Sequence, residues 1–375
     1  MEHSRLSRRR LLAAGGLAAS AAIAGCSLES PSANESVDDF PTEFEPVDAP
    51  ADLQVDGELS DLYYELVDSV VGIQIQEGDD ESGGTGWLYQ DNYVVTNEHI
   101  TELLDPERSF VWFDEVGWRP ASLVGEDVHS DLAVLEVEDA PESARPLPLV
   151  DTDEPPAVGT PVAAIGNPFD LTGSFTTGVI SGRNRNIELP FRAFSIADGV
   201  QTDAALNPGN SGGPLVTFDA EVAGVVSAGQ GENVGFAISA SMTERVVPAL
   251  IEDGEYEHTY LGVLLRDVSP EIVQANELGE YTWGVYVDEV LENTPADGDL
   301  QGTTDREVVG NTETPVGGDV IVGLDDETIE SRERLSAYLA LETDPGQSID
   351  VTVVREGETV SESVTLAARP PTEEL

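Results

Sequence analysis

The sequence predicts a mainly β protein of two modules, an all-β barrel or sandwich followed by a small α+β domain. Between residues 71 and 238, short apolar runs alternate with Gly-rich turns and helical periodicity is rare, which is typical of antiparallel β structure. From Tyr260 onward, strand and helix patterns are mixed. Hydrophobic residues make up 40% of the 375 residues, enough for two cores.

Helices are predicted at both ends of the first module. One extends from Leu59 to Val71, where apolar residues recur at intervals of four, and another from Ser241 to Glu252, before Asp253-Gly254. The strands predicted between them are Val71 to Ile75, Gly86 to Tyr89, Tyr93 to Thr96, Ser109 to Phe113, Leu132 to Val137, Pro161 to Ile165, Ser174 to Ser181, Phe194 to Thr202, Pro214 to Thr217, Val222 to Ser227 and Val234 to Ile238.

The second module contains one predicted helix, from Arg332 to Leu341. Its predicted strands are Gly262 to Leu265, Gly284 to Val290, Asp319 to Leu324, Ile349 to Arg355 and Glu358 to Leu366. The long segment from Gly302 to Gly317 is predicted to be a surface excursion.

The charge balance is strongly acidic. The chain has 73 acidic and 17 basic residues, a formal net charge of −56, and every basic residue is Arg. Nucleic acid is therefore excluded as a partner, because phosphate binding needs a basic surface. Such a chain repels itself in dilute buffer, whereas molar salt shortens the Debye length to about 3 Å. The composition predicts a halophilic protein, from a haloarchaeon.

The N-terminal residues have the pattern of an export signal. Four Arg precede the apolar run Leu11 to Gly25, and Ser7-Arg8-Arg9-Arg10-Leu11-Leu12 resembles a twin-arginine signal. Ile23-Ala24-Gly25-Cys26 resembles a lipobox, which predicts a lipid anchor on Cys26 at the outer face of the membrane. We therefore predict a signal peptide at 1–25 and an acidic, disordered tether at 26–58.

One segment, Asn210-Ser211-Gly212-Gly213-Pro214, fits a nucleophilic serine. Gly neighbours let a substrate approach and let backbone N–H groups point at an oxyanion. A serine also needs a base. Of the four His, His99 follows a predicted strand, whereas His129 is predicted at the surface and His258 in solvent.

The imidazole in turn needs a carboxylate. Asp131 directly precedes the apolar strand that begins at Leu132, and we prefer it to Asp127, which no predicted strand holds. The order His, Asp, Ser is the chymotrypsin-like one.

These segments resemble the catalytic blocks of the HtrA/DegP family of serine proteases. The blocks are Thr96-Asn97-Glu98-His99, Ser130-Asp131-Leu132-Ala133-Val134 and Gly209-Asn210-Ser211-Gly212-Gly213-Pro214, with Gly166-Asn167-Pro168 and Val234-Gly235-Phe236-Ala237-Ile238 as further signatures. The resemblance implies a chymotrypsin-like double β-barrel at 59–254 followed by a small α+β PDZ domain at 260–368.

The resemblance also implies roles for single residues. Ser211 would be the nucleophile, His99 the base and Asp131 its orienting carboxylate. The oxyanion hole would form at Gly209, Asn210 and Ser211. The remaining implied sites are a specificity pocket at Ala205, which predicts small aliphatic or apolar substrate side chains, and a loop for a peptide carboxylate at Tyr260, Leu261, Gly262 and Val263.

The predicted function is a serine endopeptidase that cleaves unfolded or damaged proteins outside the cell, with a PDZ domain that binds peptide C-termini. No cofactor or metal is expected, and the resemblance implies a homotrimer, with Tyr63 and Tyr64 as weak candidates for its contacts. The alternative is a non-catalytic chaperone or peptide-binding scaffold.

Overall fold

The computed structural model describes residues 57–371 apart from 78–79, 103, 105–108, 167–172, 191, 193, 230–232 and 280–281. The predicted signal peptide, Cys26, almost all of the tether and the Asn167-Pro168 signature lie outside the described residues. None of the helices within the described ranges is long and apolar enough to cross a membrane.

The described residues form five α-helices, distributed between the two domains. They are α1 (Glu58–Leu66), α2 (Glu98–Thr101), α3 (Ala240–Glu252), α4 (Pro270–Ala275) and α5 (Arg332–Glu342). The longer ones begin at serine caps: Ser239 Oγ accepts from the Met242 N–H of α3 at 3.0 Å, and Ser331 Oγ caps α5 in the same way. The predicted first helix is too long, since α1 ends at Leu66 and a strand starts at Val70.

Twelve strands form two closed barrels of six strands each, which confirms the predicted double β-barrel. The first barrel has the order β1-β2-β3-β6-β5-β4 and the second the order β10-β11-β12-β9-β8-β7. The strands are β1 (Val70–Glu77), β2 (Asp80–Gln90), β3 (Tyr93–Thr96), β4 (Phe110–Phe113), β5 (Gly117–Asp127), β6 (Leu132–Val137), β7 (Pro161–Gly166), β8 (Ser174–Glu188), β9 (Ser195–Thr202), β10 (Pro214–Thr217), β11 (Val222–Gly229) and β12 (Gly235–Ser239).

A shared apolar core joins the two barrels. Trp87 and Leu132 of the first barrel belong to the same buried cluster as Ile165 and Val225 of the second, together with Leu250 of α3. Both barrels therefore pack on one continuous core, and the loops at their junction are held from two sides.

The C-terminal domain is a small antiparallel sheet beside α5. Its main sheet has the order β14-β15-β18-β20-β21, with β14 at one edge, and a β13–β22 pair closes the domain. The strands are β13 (Thr259–Tyr260), β14 (Val263–Asp267), β15 (Val285–Val290), β16 (Asp305–Val309), β17 (Thr312–Val316), β18 (Val320–Leu324), β19 (Glu327–Thr328), β20 (Ser348–Arg355), β21 (Glu358–Thr365) and β22 (Ala367–Ala368).

This domain departs from the sequence-based expectation, and it is also linked to the first domain. The predicted excursion from Gly302 to Gly317 contains the antiparallel hairpin β16–β17. Arg245 of α3 also ties the two domains together, because its guanidinium donates to the carbonyl of Leu341 at 2.9 Å and pairs with Asp344 at 2.7 Å.

Candidate active site

The register of the first barrel brings two predicted site residues together. In the antiparallel pair β3–β6, Thr96 lies opposite Ala133. The turn that follows β3 and carries His99 therefore lies beside Asp131, which precedes β6. Two residues separated by 32 positions in the chain meet because the strands that flank them are neighbours.

His99 and Asp131 form a close hydrogen-bonded pair. His99 Nδ1 lies 2.8 Å from Asp131 Oδ1 and 3.0 Å from Oδ2, and the His99 backbone N–H donates to Oδ1 at 3.0 Å. The Asp131 side chain is 1% exposed and that of His99 is 20% exposed. The carboxylate can hold Nδ1 protonated, and in that tautomer Nε2 is the ring nitrogen that can accept a proton.

The backbone of Asp131 is constrained as well as its carboxylate. Its φ of 56° lies in the left-handed region, which a non-glycine residue adopts only when its surroundings fix it. The Asn97 side chain donates to the Asp131 carbonyl at 3.0 Å, and Ser227 Oγ donates to Oδ2 at 2.9 Å. Sequence reasoning missed Ser227, because nothing in the local sequence of β11 links it to Asp131.

Ser211 lies in the loop before β10, opposite Ser227. Its hydroxyl donates to the Ser227 carbonyl at 3.0 Å. From this position the hydroxyl has to turn before it can donate to His99 Nε2. Thr85 of the first barrel holds the loop from the other side, because its N–H donates to the Ser211 carbonyl at 2.8 Å and its hydroxyl to the Gly209 carbonyl at 2.6 Å.

Glycine is required at Gly212 because the two barrels meet there. Its φ is 83°, and a Cβ would lie 2.0 Å from the Thr85 carbonyl oxygen and 2.3 Å from Thr96 Oγ1. Any side chain at this position would push the loop that carries Ser211 away from the first barrel.

The same loop presents candidate oxyanion donors. The Asn210 carbonyl accepts from the Gly213 N–H at 2.9 Å, which fixes the planar peptide that carries the Ser211 N–H. Within the described part of the chain, the N–H groups of Gly209 and Ser211 form no hydrogen bond. The Asn210 N–H instead donates to the Asn207 carbonyl at 3.0 Å, so Asn210 adjoins these donors without adding one.

Ala205, the predicted base of the specificity pocket, is exposed in the loop after β9. Its neighbour Leu206 lies against Gly235, where a Cβ would be 2.5 Å from Leu206 Cδ1. Both residues are apolar.

The structure contradicts the predicted environments of the three alternative site residues, Asp127, His258 and His129. Asp127 is the last residue of β5 and is 6% exposed, His258 is 8% exposed, and the two side chains meet at 2.6 Å. His129 is half-buried rather than at the surface. Asp127 and His258 are 131 positions apart in the chain, so no local sequence pattern marks their pairing. The polar residues next to each of them in the sequence suggested exposure to solvent instead.

Asp127 shapes the turn that leads to Asp131. Its carboxylate accepts from the Ser130 N–H at 2.9 Å and from the Ser130 hydroxyl. Burial alone would raise the pKa of Asp127, but the hydrogen bond and charge of His258 and the Ser130 hydroxyl outweigh burial and hold the pKa below its ordinary value.

Replacing Asp127 with Asn is expected to lower the free energy of unfolding at pH 7 by about 3 kcal/mol, because His258 loses its charged partner. The unfolded pKa is about 3.9 and the folded one is lower, so the stabilisation is complete above about pH 5 and is lost as the pH falls through the folded pKa. Urea unfolding at constant salt, at pH 7 and pH 3, measures the effect. A difference in stability that is equally large at both pH values would contradict this assignment.

Glu98 is a further buried carboxyl that sequence reasoning did not single out. It directly precedes His99, is 3% exposed and pairs with the Arg192 guanidinium. Burial raises the pKa of Glu98 to about 7 against the lowering effect of Arg192, and the Asp131 charge raises it further. A fraction of Glu98 is therefore protonated near neutral pH.

A cavity lies away from Ser211, between β14, α5 and the second barrel. Its volume is about 720 Å³, and the predicted loop Tyr260 to Val263 lines it. Leu335 and Leu339 of α5 line it too, whereas Tyr338 does not. Gly262 has a φ of 84°, and its carbonyl accepts from the Leu291 N–H at 3.0 Å. β14 is an edge strand of its sheet, and Val263, Leu264 and Leu265 of this strand line the cavity.

Both domains match known domain models. Residues 84–225 match the trypsin-like peptidase domain, and residues 259–366 match the PDZ domain. Among solved structures, the chain is similar to the HtrA-type protease AlgW with tripeptide, with a TM-score of 0.64 and 30% identity over 84% of this chain and 98% of that one.

Two curated relatives align with more than three quarters of this chain. A probable periplasmic serine endoprotease DegP-like of Chlamydia trachomatis is 35% identical over 76% of this chain, and the chain spans about half of that relative, 54% of its length. The serine protease Do-like HtrB of Bacillus subtilis is 32% identical over 82% of this chain and 70% of the relative. The chain therefore belongs to the HtrA/DegP family of serine proteases and has one trypsin-like domain and one PDZ domain.

Proposed function

We propose that the chain is a serine endopeptidase that cleaves unfolded or damaged proteins outside the cell with Ser211, His99 and Asp131. The observation that carries this proposal is the pair of His99 Nδ1 and the buried Asp131 Oδ1, 2.8 Å apart, beside a glycine-rich loop that carries Ser211. A scaffold that only binds peptides needs no such pair.

The proposed reaction begins when the Ser211 hydroxyl leaves the Ser227 carbonyl and donates to His99 Nε2. His99 takes the proton as Ser211 Oγ attacks the scissile carbonyl, and Asp131 stabilises the imidazolium. The N–H groups of Gly209 and Ser211 hold the oxyanion, and each such donor is worth roughly 3–4 kcal/mol. His99 then protonates the leaving amine, and water releases the acyl group by the same steps in reverse.

The proposed substrates are polypeptides with small aliphatic or other apolar side chains at the cleavage position, because Ala205 adds no charge to the predicted pocket. The PDZ domain is proposed to bind peptide C-termini along β14 in the 720 Å³ cavity. The neighbouring AlgW structures include a tripeptide and a decapeptide.

The test is digestion of casein, an unfolded substrate, by the full chain in molar salt, with a stably folded protein as the control. We expect casein to be cleaved into peptides and the folded protein to remain intact. A well-folded chain that leaves casein uncut would favour the non-catalytic chaperone or scaffold.

We further propose export and a lipid anchor on Cys26, at the outer face of the cell membrane. The basic and apolar pattern of residues 1–26 supports this, as does the similarity to relatives named periplasmic. Replacing Cys26 with Ser should release the protein into the medium, and unchanged membrane retention would contradict the anchor.

The proposed haloarchaeal origin and halophilic character depend on the net charge of −56. Far-UV circular dichroism should show loss of structure at low salt, and a native spectrum retained at low salt would contradict the halophilic character.

The proposed homotrimer is supported by Tyr64, which is 73% exposed and whose ring lies 5.3 Å from that of Tyr63. Mass measurement in salt should give three chains, and a monomer would contradict it.

A further inference from the structure

The turn that carries His99 is attached to both barrels. Within the first barrel, the Glu98 N–H donates to the Asp131 carbonyl at 3.2 Å and the His99 N–H donates to the Asp131 carboxylate at 3.0 Å. The Glu98 side chain contacts the second barrel, because its carboxylate pairs with Arg192 in the connection between β8 and β9. His99 and Ser211 belong to different barrels, so a contact between the barrels beside His99 affects how the two residues align.

The ion pair of Glu98 and Arg192 is largely shielded from solvent. The Glu98 side chain is buried and that of Arg192 is 16% exposed. Glu102 also contacts the Arg192 guanidinium, at 3.5 Å, but its side chain is 60% exposed and it therefore contributes little. Salt screens a buried pair much less than an exposed one, so the attraction between Glu98 and Arg192 persists at high ionic strength.

The charges that face the Glu98 carboxyl come from four elements. Burial raises its pKa most, and the charge of Arg192 lowers it. Three acids raise it further: Asp131 before β6, Glu102 at the end of α2 and Glu126 of β5. The balance is a pKa of about 7, so the carboxyl is ionised above this pH and neutral below it.

Loss of the Glu98 charge weakens the contact between the barrels. A hydrogen bond between a carboxylate and a guanidinium is roughly twice as strong as one between neutral groups. When Glu98 takes up a proton, the turn that carries His99 is held mainly by its own barrel. A displacement of reacting groups by about 1 Å can lower a rate by about 100-fold, so a small movement of this turn is enough to affect catalysis.

We propose that Glu98 is a positioning residue for proteolysis, whose ionised carboxylate aligns His99 with Ser211 by pairing with Arg192 across the two barrels. The inference rests on the proposed catalytic function of Ser211, His99 and Asp131, and it adds two residues that act through His99. Activity then depends on the charge of Glu98 as well as on the protonation state of His99.

The test uses Glu98→Gln in the full chain, because a glutamine amide has the shape of a protonated carboxyl group but cannot ionise. Hydrolysis of one fluorogenic casein substrate is measured at about pH 8.5 and about pH 5.5, at the same molar salt concentration. At the higher pH we expect the unsubstituted chain to exceed the variant in kcat by at least about tenfold, with KM within about twofold. At the lower pH Glu98 is itself protonated, so the two kcat values should agree to within about twofold.

Two further variants separate this role from a general effect on the fold. Glu102→Gln removes the exposed acid that contacts the same guanidinium, and it should keep kcat within about twofold of the unsubstituted chain at both pH values. The double variant Glu98→Gln/Arg192→Gln removes both charges, so that neither is left buried without its partner. It should lose no more activity than Glu98→Gln, because the pair acts as one unit.

The ratio of kcat between the unsubstituted chain and Glu98→Gln decides the outcome. A ratio that is equally large at both pH values would mean that Glu98 only supports the fold, and the inference would be wrong while the proposed proteolysis stands. A ratio near one at both pH values would overturn it as well. If circular dichroism shows that Glu98→Gln does not fold, the double variant replaces it, with the same expected ratios. If the unsubstituted chain cleaves no substrate at either pH, the proposed proteolysis fails and the inference fails with it.

Discussion

Replacing Ser211 with Ala is expected to lower kcat for casein-derived peptides by about 10⁶-fold. In the proposed mechanism the hydroxyl oxygen forms the acyl bond, and the loop Gly209 to Pro214 contains no second serine, threonine or cysteine. The fold should be retained, because the hydroxyl makes one hydrogen bond, to the Ser227 carbonyl. The measurement is initial-rate hydrolysis of a fluorogenic casein substrate in molar salt, with circular dichroism to check the fold.

A matched control for this substitution is Ser122→Ala. Ser122 is exposed on β5, so its loss should leave the rate within about twofold of the unsubstituted chain. If Ser211→Ala keeps more than about a hundredth of the activity, the nucleophile has been assigned to the wrong residue.

Replacing Asp131 with Asn is expected to lower kcat by about 10⁴-fold. The carboxylate accepts from the His99 N–H, from His99 Nδ1 and from Ser227 Oγ. An amide group cannot accept all three bonds, and it favours the tautomer of His99 that carries its proton on Nε2, which cannot act as a base there. The effect should appear mainly in kcat rather than in KM, because Asp131 acts through His99 and is 1% exposed.

Asp127→Asn is the matched control for the second prediction, because it removes a buried carboxylate four residues earlier that pairs with His258 instead of His99. Measured at a temperature where both variants are folded, it should reduce kcat far less than Asp131→Asn. Equal losses in the two variants would mean that the carboxylates act as one unit, and the separate role assigned to Asp131 would be wrong.

The parts of the fold that the sequence predicted are those with a local signal. Short apolar runs give eleven of the twelve barrel strands, whereas β5, whose side chains are mostly exposed or half-buried, was not predicted. The residues around His99, Asp131 and Ser211 lie at strand ends, where a scaffold can present them. The partners that complete the site lack such a signal. Thr85 lies in β2 and Ser227 in β11, and no sequence motif distinguishes them. They contact the loop that carries Ser211 only because the barrels pack against each other.

The hairpin β16–β17 was missed for a different reason. Its residues are mostly exposed on both faces, so no alternation of apolar and polar side chains marks the strands. One signal was present: Gly310 and Asn311 form a two-residue connection between Val309 and Thr312, and Gly310 has a φ of 65°. Short Gly/Asn connections of this kind are typical of tight hairpins.

The acidic composition also has a consequence for recognition. The chain has a formal net charge of −56 and repels peptide carboxylates in general, whereas Glu188 is the one carboxylate among the described residues that line the 720 Å³ cavity. The buried pair of Asp127 and His258 and the cavity that contains Arg369 both lie at the junction of the two domains. The contacts at this junction could not be predicted from the sequence pattern of either domain alone, because they form only when the two domains pack together.

The central claim is that Ser211 is an activated nucleophile, and covalent labelling tests it most directly. The full chain, folded in molar salt, is treated with a fluorophosphonate that reacts only with activated serines, and the modified residue is located by peptide mass spectrometry. We expect a single adduct on Ser211 that is absent from the Ser211→Ala variant and strongly slowed in Asp131→Asn. A folded chain that stays unlabelled, or that is labelled at another serine, would contradict the proposed catalytic site.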